Sequence, residues 1–176
     1  MKKRSMTLIS SILMSTGCSS TPNENPDAIV VNIDQGTVVV KVVDLPIAES
    51  HRLSYAAIGS CEPEVEITTT GKQTKANHIK NCHGKGDYQG TIFTLLVSPR
   101  SELSLYLKAG QIELPEAHSL TELQQITASV SVGGISSRRG NVAINRSKLL
   151  GAKAVYQNQG TLNWQISLSY GEVVFN

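Results

Sequence analysis

The sequence is poor in aromatic residues and in the residues that most often carry out chemistry. Aromatic side chains make up 5% of the 176 residues, and the chain has one Trp, two Phe, four His and three Cys. Hydrophobic residues nevertheless make up 40%, so the chain can build a core, and that core must be mainly aliphatic. The length predicts one main domain.

Known catalytic and nucleotide-binding patterns are absent from the sequence. It contains no G-x-S-x-G, H-E-x-x-H, P-loop or G-x-G-x-x-G pattern. No pattern joins a histidine to a nucleophile and an acid, although such groups need only meet in the folded chain. The sequence therefore predicts a non-catalytic protein without a cofactor, with a small enzyme of unrecognised site as an alternative.

The N-terminus has the features of a secretion signal. A basic start, residues 1–4, precedes a short apolar run at residues 6–14 that is too short to span a bilayer as a helix. The sequence Ser15-Thr16-Gly17-Cys18 resembles the lipobox of bacterial lipoproteins, except that Ser15 stands where Leu is commonest. An ordinary secretion signal cleaved nearby, or a spurious N-terminus, is the alternative.

The lipoprotein resemblance implies an anchor and a location. Residues 1–17 would be the signal peptide, and Cys18 would carry the fatty acyl groups, palmitate among them. Residues 18–27 would be a flexible tether, because "SSTPNENPD" contains no large apolar side chain. Ser19 follows the cysteine where lipoproteins of the inner membrane usually carry Asp, so the resemblance favours the outer membrane of a Gram-negative cell envelope.

The net charge gives no support for nucleic acid as a partner. The whole chain has a formal net charge of +2. The signal contains three basic residues and no acidic residue, so its removal leaves 13 Lys and Arg against 14 Asp and Glu. This balance does not favour nucleic acid. The lipoprotein resemblance instead implies the membrane, through the lipid anchor, and another component of the envelope as partners.

The two remaining cysteines predict a disulfide in an exported chain. A Cys61–Cys82 bond would close a loop of about 22 residues and stabilise the fold by roughly 3 kcal/mol. A metal site is the alternative, because His78, Cys82 and His83 lie close together in "HIKNCH". Cys61 could supply a further ligand, but the disulfide would then be lost.

A short phrase recurs along the chain: glycine, any residue, then an aliphatic residue. Alternating aliphatic residues precede several of these glycines, as in Leu103, Leu105 and Leu107. A period of two is that of a strand with one buried face, and glycine accepts the positive φ of a tight bend. The phrase therefore predicts strand, bend, strand, at Gly36, Gly90, Gly110, Gly133, Gly140, Gly160 and Gly171.

These repeats predict that residues 28–176 form a single all-β domain. Two architectures fit: a short β-solenoid of stacked coils, about 20 residues each, or an antiparallel β-sandwich. Helix is scarce in the pattern. Residues 119–125, "SLTELQQ", have a capping-box spacing that permits one or two helical turns, whereas "HRLSYAAI", residues 51–58, alternates like a strand.

Residues 101–176 resemble the β-strand-repeat domains of bacterial envelope proteins known as the "putative adhesin" family. The phrases "LSLYLKAGQIEL", "ITASVSVGGIS" and "ISLSYGEVVF" carry the resemblance, with a weaker echo at residues 28–43. It implies a β-helix-like or sandwich stack and brings no catalytic residues. Together with the anchor, it favours a non-catalytic envelope lipoprotein that binds or scaffolds another component. A small periplasmic enzyme and a metal-binding lipoprotein that uses His78, Cys82 and His83 are the alternatives.

Overall fold

The computed structural model describes residues 28–46, 48–59, 62–80, 90–116, 119–146 and 150–176. Within these residues, ten β-strands form one mixed sheet, so the all-β prediction is confirmed. The strands are β1 (Ile29–Val42), β2 (His51–Ile58), β3 (Glu64–Thr70), β4 (Gln73–Lys80), β5 (Gly90–Val97), β6 (Leu103–Leu114), β7 (Leu123–Ser137), β8 (Val142–Arg146), β9 (Ala152–Gln157) and β10 (Leu162–Phe175). Within this described part of the chain, no helix is long and apolar enough to cross a membrane.

Four long strands form the centre of the sheet. They lie in the order β1, β6, β10, β7, and each pairs with its neighbour in parallel. The spatial order differs from the chain order, because β10 lies between β6 and β7. The long strands therefore do not stack as successive coils of the chain, and neither the solenoid nor the sandwich architecture is confirmed.

A row of four glycines crosses these strands. Gly36 pairs with Gly110, Gly110 with Gly171, and Gly171 with Gly133. Their φ angles are 129°, 135°, 134° and 132° in the order Gly36, Gly110, Gly171, Gly133. Residues other than glycine rarely adopt this backbone conformation. We call this set the glycine row.

Each long strand changes direction at the glycine row. In β6, Leu105 and Leu107 before Gly110 and Ile112 and Leu114 after it are all buried in one core. Residues 107 and 112 would lie on opposite faces of a straight strand, because side chains alternate with a period of two. The strand must therefore bend around the core, and the sheet has a first arm before the glycine row and a second arm after it.

The glycine row also needs glycine because the backbones approach closely. A Cβ atom on Gly110 would overlap the carbonyl of Gly36, and one on Gly171 would overlap the carbonyl of Gly110. A Cβ atom on Gly133 would overlap the carbonyl of Gly171 in the same way. Positive φ and close packing thus coincide at the same positions.

The other three glycines of the repeat lie outside this row. Gly90 begins β5, where Phe93 rather than Ile92 is buried in the core. Gly140 lies in an exposed turn with open space around its Cβ position. Gly160 packs against the backbone of the turn that precedes β7. The same three-residue phrase therefore forms different structures in different parts of the chain.

The two arms contain different numbers of described strands. In the first arm the neighbours run β3, β4, β1, β6, β10, β7, β9, β8. In the second arm they run β2, β5, β1, β6, β10, β7, because β5 pairs with the end of β1 and β2 pairs with β5. Among the described strands, the second arm therefore ends at β7, two strands before the first arm does.

The sequence prediction for two short segments had different outcomes. Residues 51–58 are strand β2, as their alternation indicated. The helical turns permitted at residues 119–125 amount to a tight turn, in which the Leu123 amide donates to the Leu120 carbonyl before β7 begins at Leu123. Leu120 and Leu123 are buried, so packing against the core overrides the capping-box pattern.

We expect the glycine row to be intolerant of any side chain. Gly110→Ala should lower the free energy of unfolding by about 2–4 kcal/mol, because a Cβ atom there is strained by φ and overlaps backbone. Gly134→Ala is the matched control, because a Cβ atom at this neighbour of the row meets no atom within 4 Å. It should change stability by about 0.5 kcal/mol or less in urea unfolding. Equal effects of the two substitutions would contradict the bend.

Candidate functional site

A partly buried hydrogen-bonded chain of three side chains lies at the bend of the sheet. His78 Nδ1 lies 2.7 Å from Asp34 Oδ1, and His78 Nε2 lies 2.8 Å from Thr91 Oγ1. The backbone amide of His78 also donates to Asp34 Oδ2 at 2.9 Å. The Asp34 carboxylate accepts from Nδ1–H, and Nε2 is hydrogen-bonded to the Thr91 hydroxyl, which can act as donor or acceptor.

The three residues lie on three different strands, where the glycine row ends. β4 pairs with the first part of β1 and β5 with its last part, so these two strands together occupy the place of one long strand. Asp34 belongs to β1, His78 to β4 and Thr91 to β5. The hydrogen bonds therefore join both short strands to β1 at the position where a continuous strand would bend.

The surroundings of the chain favour an ionised Asp34. Burial by itself would raise the pKa of Asp34, but the amide, ring and charge of His78 and the amide of Gln35 outweigh it and lower the pKa. The His78 side chain is only 2% exposed, and its ring meets Phe93 edge to face at 5.8 Å between centroids. Packing thus fixes the imidazole between its two partners.

An acid, a histidine and a hydroxyl in this order resemble the hydrogen-bond chain of a hydrolase triad. In a triad the nucleophile must face the substrate while the acid is buried. Here the exposure is reversed: Thr91 is 4% exposed, whereas the Asp34 side chain is 31% exposed. The arrangement is therefore suited to bracing the bend and not to attack by Thr91.

The same contacts bear on the metal alternative. Both ring nitrogens of His78 are engaged, so coordination of a metal through His78 would break one of the two hydrogen bonds. Cys61, Cys82 and His83 lie outside the described residues, and the predicted disulfide stays a prediction. No group of three His, Cys, Asp or Glu side chains suited to a metal occurs among the residues the structure describes.

A second histidine links the two arms at this end of the sheet. His51 on β2 places Nε2 2.7 Å from Thr74 Oγ1 on β4, and Thr74 lies 3.0 Å from the Thr69 hydroxyl. β2 belongs to the second arm and β4 to the first, so this hydrogen bond connects the two arms at the edge of the sheet. Burial lowers the pKa of His51, which favours the neutral ring.

Arg139 has the corresponding position at the opposite end. Its guanidinium lies 5.2 Å from the ring centroid of Tyr156 in the first arm and 6.0 Å from that of Phe175 in the second. Nε donates to the carbonyl of Asn176, while Nη1 and Nη2 are buried without a hydrogen-bond partner among the described residues. Burial lowers the pKa of Arg139, although the Tyr156 hydroxyl and Glu116 act to raise it. The cation thus lies between the arms and interacts mainly with aromatic faces.

Beside this end lies a groove at the edge of β7. β9 pairs with residues 125–130 of β7, and no described strand pairs with the outer edge of residues 132–137. The groove next to that edge has a volume of about 480 Å³. It is lined by Gly133, Gly134, Ile135, Ser136, Arg146, Leu150, Gly151, Ala152 and Glu172. We call the outer edge of residues 132–137, with this groove, the β7 edge.

The sequence pattern located some of these residues and missed others. Trp164 lies in phase with the alternating Ile166 and Leu168, and it is buried with its indole N–H donating to the Ser101 carbonyl at 2.9 Å. Cys18 lies outside the described residues. Asp34 and Thr91 were missed, because they lie 44 and 13 positions from His78 and no local pattern connects them.

Comparison with known proteins gives one weak structural likeness. No family model matches the chain, and no curated protein matches it. The chain is similar to a crystal structure described as a "putative cell adhesion protein" from Clostridium sporogenes, with 7% identity and a TM-score of 0.36. The match covers 84% of this chain and 91% of the other. Such a score is too low to assign a fold or a family.

We expect the hydrogen-bonded chain at the bend to contribute to stability. Thr91→Val keeps the shape of the side chain but leaves His78 Nε2 without its hydrogen-bond partner, which should cost about 1–3 kcal/mol of unfolding free energy. Thr94→Val, on the other face of β5, is the control and should cost about 0.5 kcal/mol or less. If both substitutions were neutral in urea unfolding, the hydrogen-bonded chain would not brace the sheet.

Acidification should destabilise the protein in two steps. Because burial lowers the pKa of His51, its contribution is complete above the ordinary value of 6.5 and is lost as the pH falls below it. The lowered pKa of Asp34 makes its contribution complete above 3.8 and lost as the pH falls further. In urea unfolding against pH, His51→Gln should flatten the upper step and Asp34→Asn the lower one. Unchanged pH profiles in both variants would contradict these assignments.

Proposed function

We propose that this protein is a non-catalytic binding module of the bacterial cell envelope, anchored in the outer membrane through Cys18. The observation that carries the binding role is the difference between the two arms. The first arm continues past β7 through β9 and β8, while the described part of the second arm ends at β7. A sheet edge of this kind offers unpaired backbone groups to another chain.

The side chains around the β7 edge support the same role. Leu150 on its rim is 66% exposed and adds apolar surface next to the edge. Val142 and Ile144 on β8 pack against the core but stay only partly buried. A bound partner that extends the second arm would cover apolar surface as well as backbone, which is the combination that stabilises protein interfaces.

The anchor is supported by the sequence alone. The basic start, the apolar run and the small residue before Cys18 form the pattern on which lipidation is proposed. A tether between the lipid and residue 28 would hold the sheet close to the membrane while leaving its edges accessible. The proposed module would thus present the β7 edge to components of the periplasm or of the cell surface.

Site-specific photo-crosslinking in living cells tests the proposal. A benzophenone amino acid in place of Ser136, which lines the groove, should give one or a few crosslinked species of defined mass in the membrane fraction. The control is the same amino acid in place of Glu66, an exposed residue on the far edge strand β3, and it should give none of these species. Cys18→Ser should move the protein from the membrane fraction to the soluble fraction.

Two results would contradict the proposal. A wild-type protein already found in the soluble fraction would remove the anchor. The same crosslinks from both positions, or none from either, would remove the binding role of the β7 edge.

A further inference from the structure

We infer that the β7 edge binds an extended polypeptide segment of another envelope protein, which adds as a strand to the second arm and carries aliphatic side chains at alternate positions. This inference rests on the proposed binding function and specifies its partner chemistry. It follows from four features of the edge: its unpaired backbone groups, the absence of charges and prolines that would prevent strand addition, the aliphatic residues on its core side, and the charged residues that flank it.

The backbone of the edge is paired on one side only. Residues 132–137 of β7 lie in parallel register with residues 170–175 of β10. On the other side, the pairing of β7 with β9 reaches only as far as Val130, which lies opposite Ala152, the first residue of β9. The chain turns at Gly151, just before β9, where φ is 80°. The peptide groups of residues 132–137 that point outward therefore have no strand partner among the described residues, and an added strand would supply one.

The edge lacks the devices that usually prevent strand addition. Proteins protect edges with charged side chains, prolines or bulges. The segment "VGGISS", residues 132–137, has no charge and no proline, and its pairing with β10 is free of bulges. The other described edge strands carry charged residues: β3 has Glu64 and Glu66, β2 has Arg52, and β8 has Arg146. An incoming chain can therefore reach the β7 backbone more readily than these other edges.

The core side of the edge calls for aliphatic side chains. Val38, Ile112, Val173 and Ile135 form one buried row across the second arm, in successive registers. A strand added beyond Ile135 continues this row, and its inward side chains would face the apolar side of β9 and β8. An alternating sequence places one aliphatic residue in each inward position and leaves the others toward solvent.

The charges at the edge favour acidic residues at the outward positions. Arg146 lies on the wall of the groove, and Arg138 follows the last residue of β7; both are exposed. Glu172 also lines the groove, but it belongs to β10. The two arginines outnumber this one carboxylate, so the net charge around the edge is positive. The expected partner segment thus alternates aliphatic with polar or acidic residues.

The chain itself provides a defined probe for this site. A blocked peptide with the sequence of residues 169–176, "SYGEVVFN", carries the inward residues Val173 and Phe175, the outward residue Val174, and one glutamate. NMR of the full chain in detergent micelles should show shifts of the amides of residues 132–137 on titration. A peptide with Val173→Asp and Phe175→Asp should bind at least about tenfold more weakly, while one with Val174→Asp should bind within about threefold.

Variants of the protein separate the edge from general effects. Gly134→Glu should weaken peptide binding at least about tenfold, because it places a charge on the edge that also repels the glutamate of the peptide. Gly140→Glu introduces the same charge in an exposed turn and should leave binding unchanged. A side chain at either position has open space, so both variants should fold, with a small loss of thermal stability in Gly134→Glu because its carboxylate lies beside Glu172.

Several outcomes would overturn the inference. Absence of binding, shifts confined to other strands, or equal sensitivity to inward and outward substitutions would each exclude strand addition. Concentration-dependent dimerisation that Gly134→Glu abolishes would mean that the occupant is a second copy of this chain. Crosslinking from Ser136 without peptide binding would overturn this inference and leave the proposed function standing, whereas failure of both experiments would overturn both.

Discussion

The close packing of four glycine backbones at the bend is the constraint on which the rest of the structure depends. Gly36, Gly110, Gly171 and Gly133 lie side by side with nearly equal φ, so four parallel strands bend at the same level. Because they bend together, the residues before and after the glycines face a common core. One misplaced bend would turn the inward side chains of that strand toward solvent.

The two ends of the glycine row are completed in different ways. At β4 and β5, where the strand is interrupted, Asp34, His78 and Thr91 supply the connection that a continuous backbone would give. At β7 the row simply ends at Gly133, and the described second arm has no further strand. The first end is closed by buried polar contacts, whereas the second leaves an edge at which a partner can bind.

Polar groups between the arms restrict how the sheet can close. His51 bonds to Thr74 at one end, and Arg139 lies between Tyr156 and Phe175 at the other. Each of these contacts is formed only when the two arms are at the correct separation. A buried polar group is costly without its partner, so such contacts favour one arrangement of the arms over alternatives that an aliphatic core would also permit.

The sequence by itself determined the long central strands, their inward residues and the need for a bend, because pleating and the positive φ of glycine are local properties. Leu105 and Ile112 could be assigned to the core from their spacing around Gly110 alone. The order β1, β6, β10, β7, the meeting of Asp34 with His78 and the short second arm were decided only by the tertiary structure. Many strands share the same alternation, so the choice of neighbours depends on long-range packing that no single segment encodes.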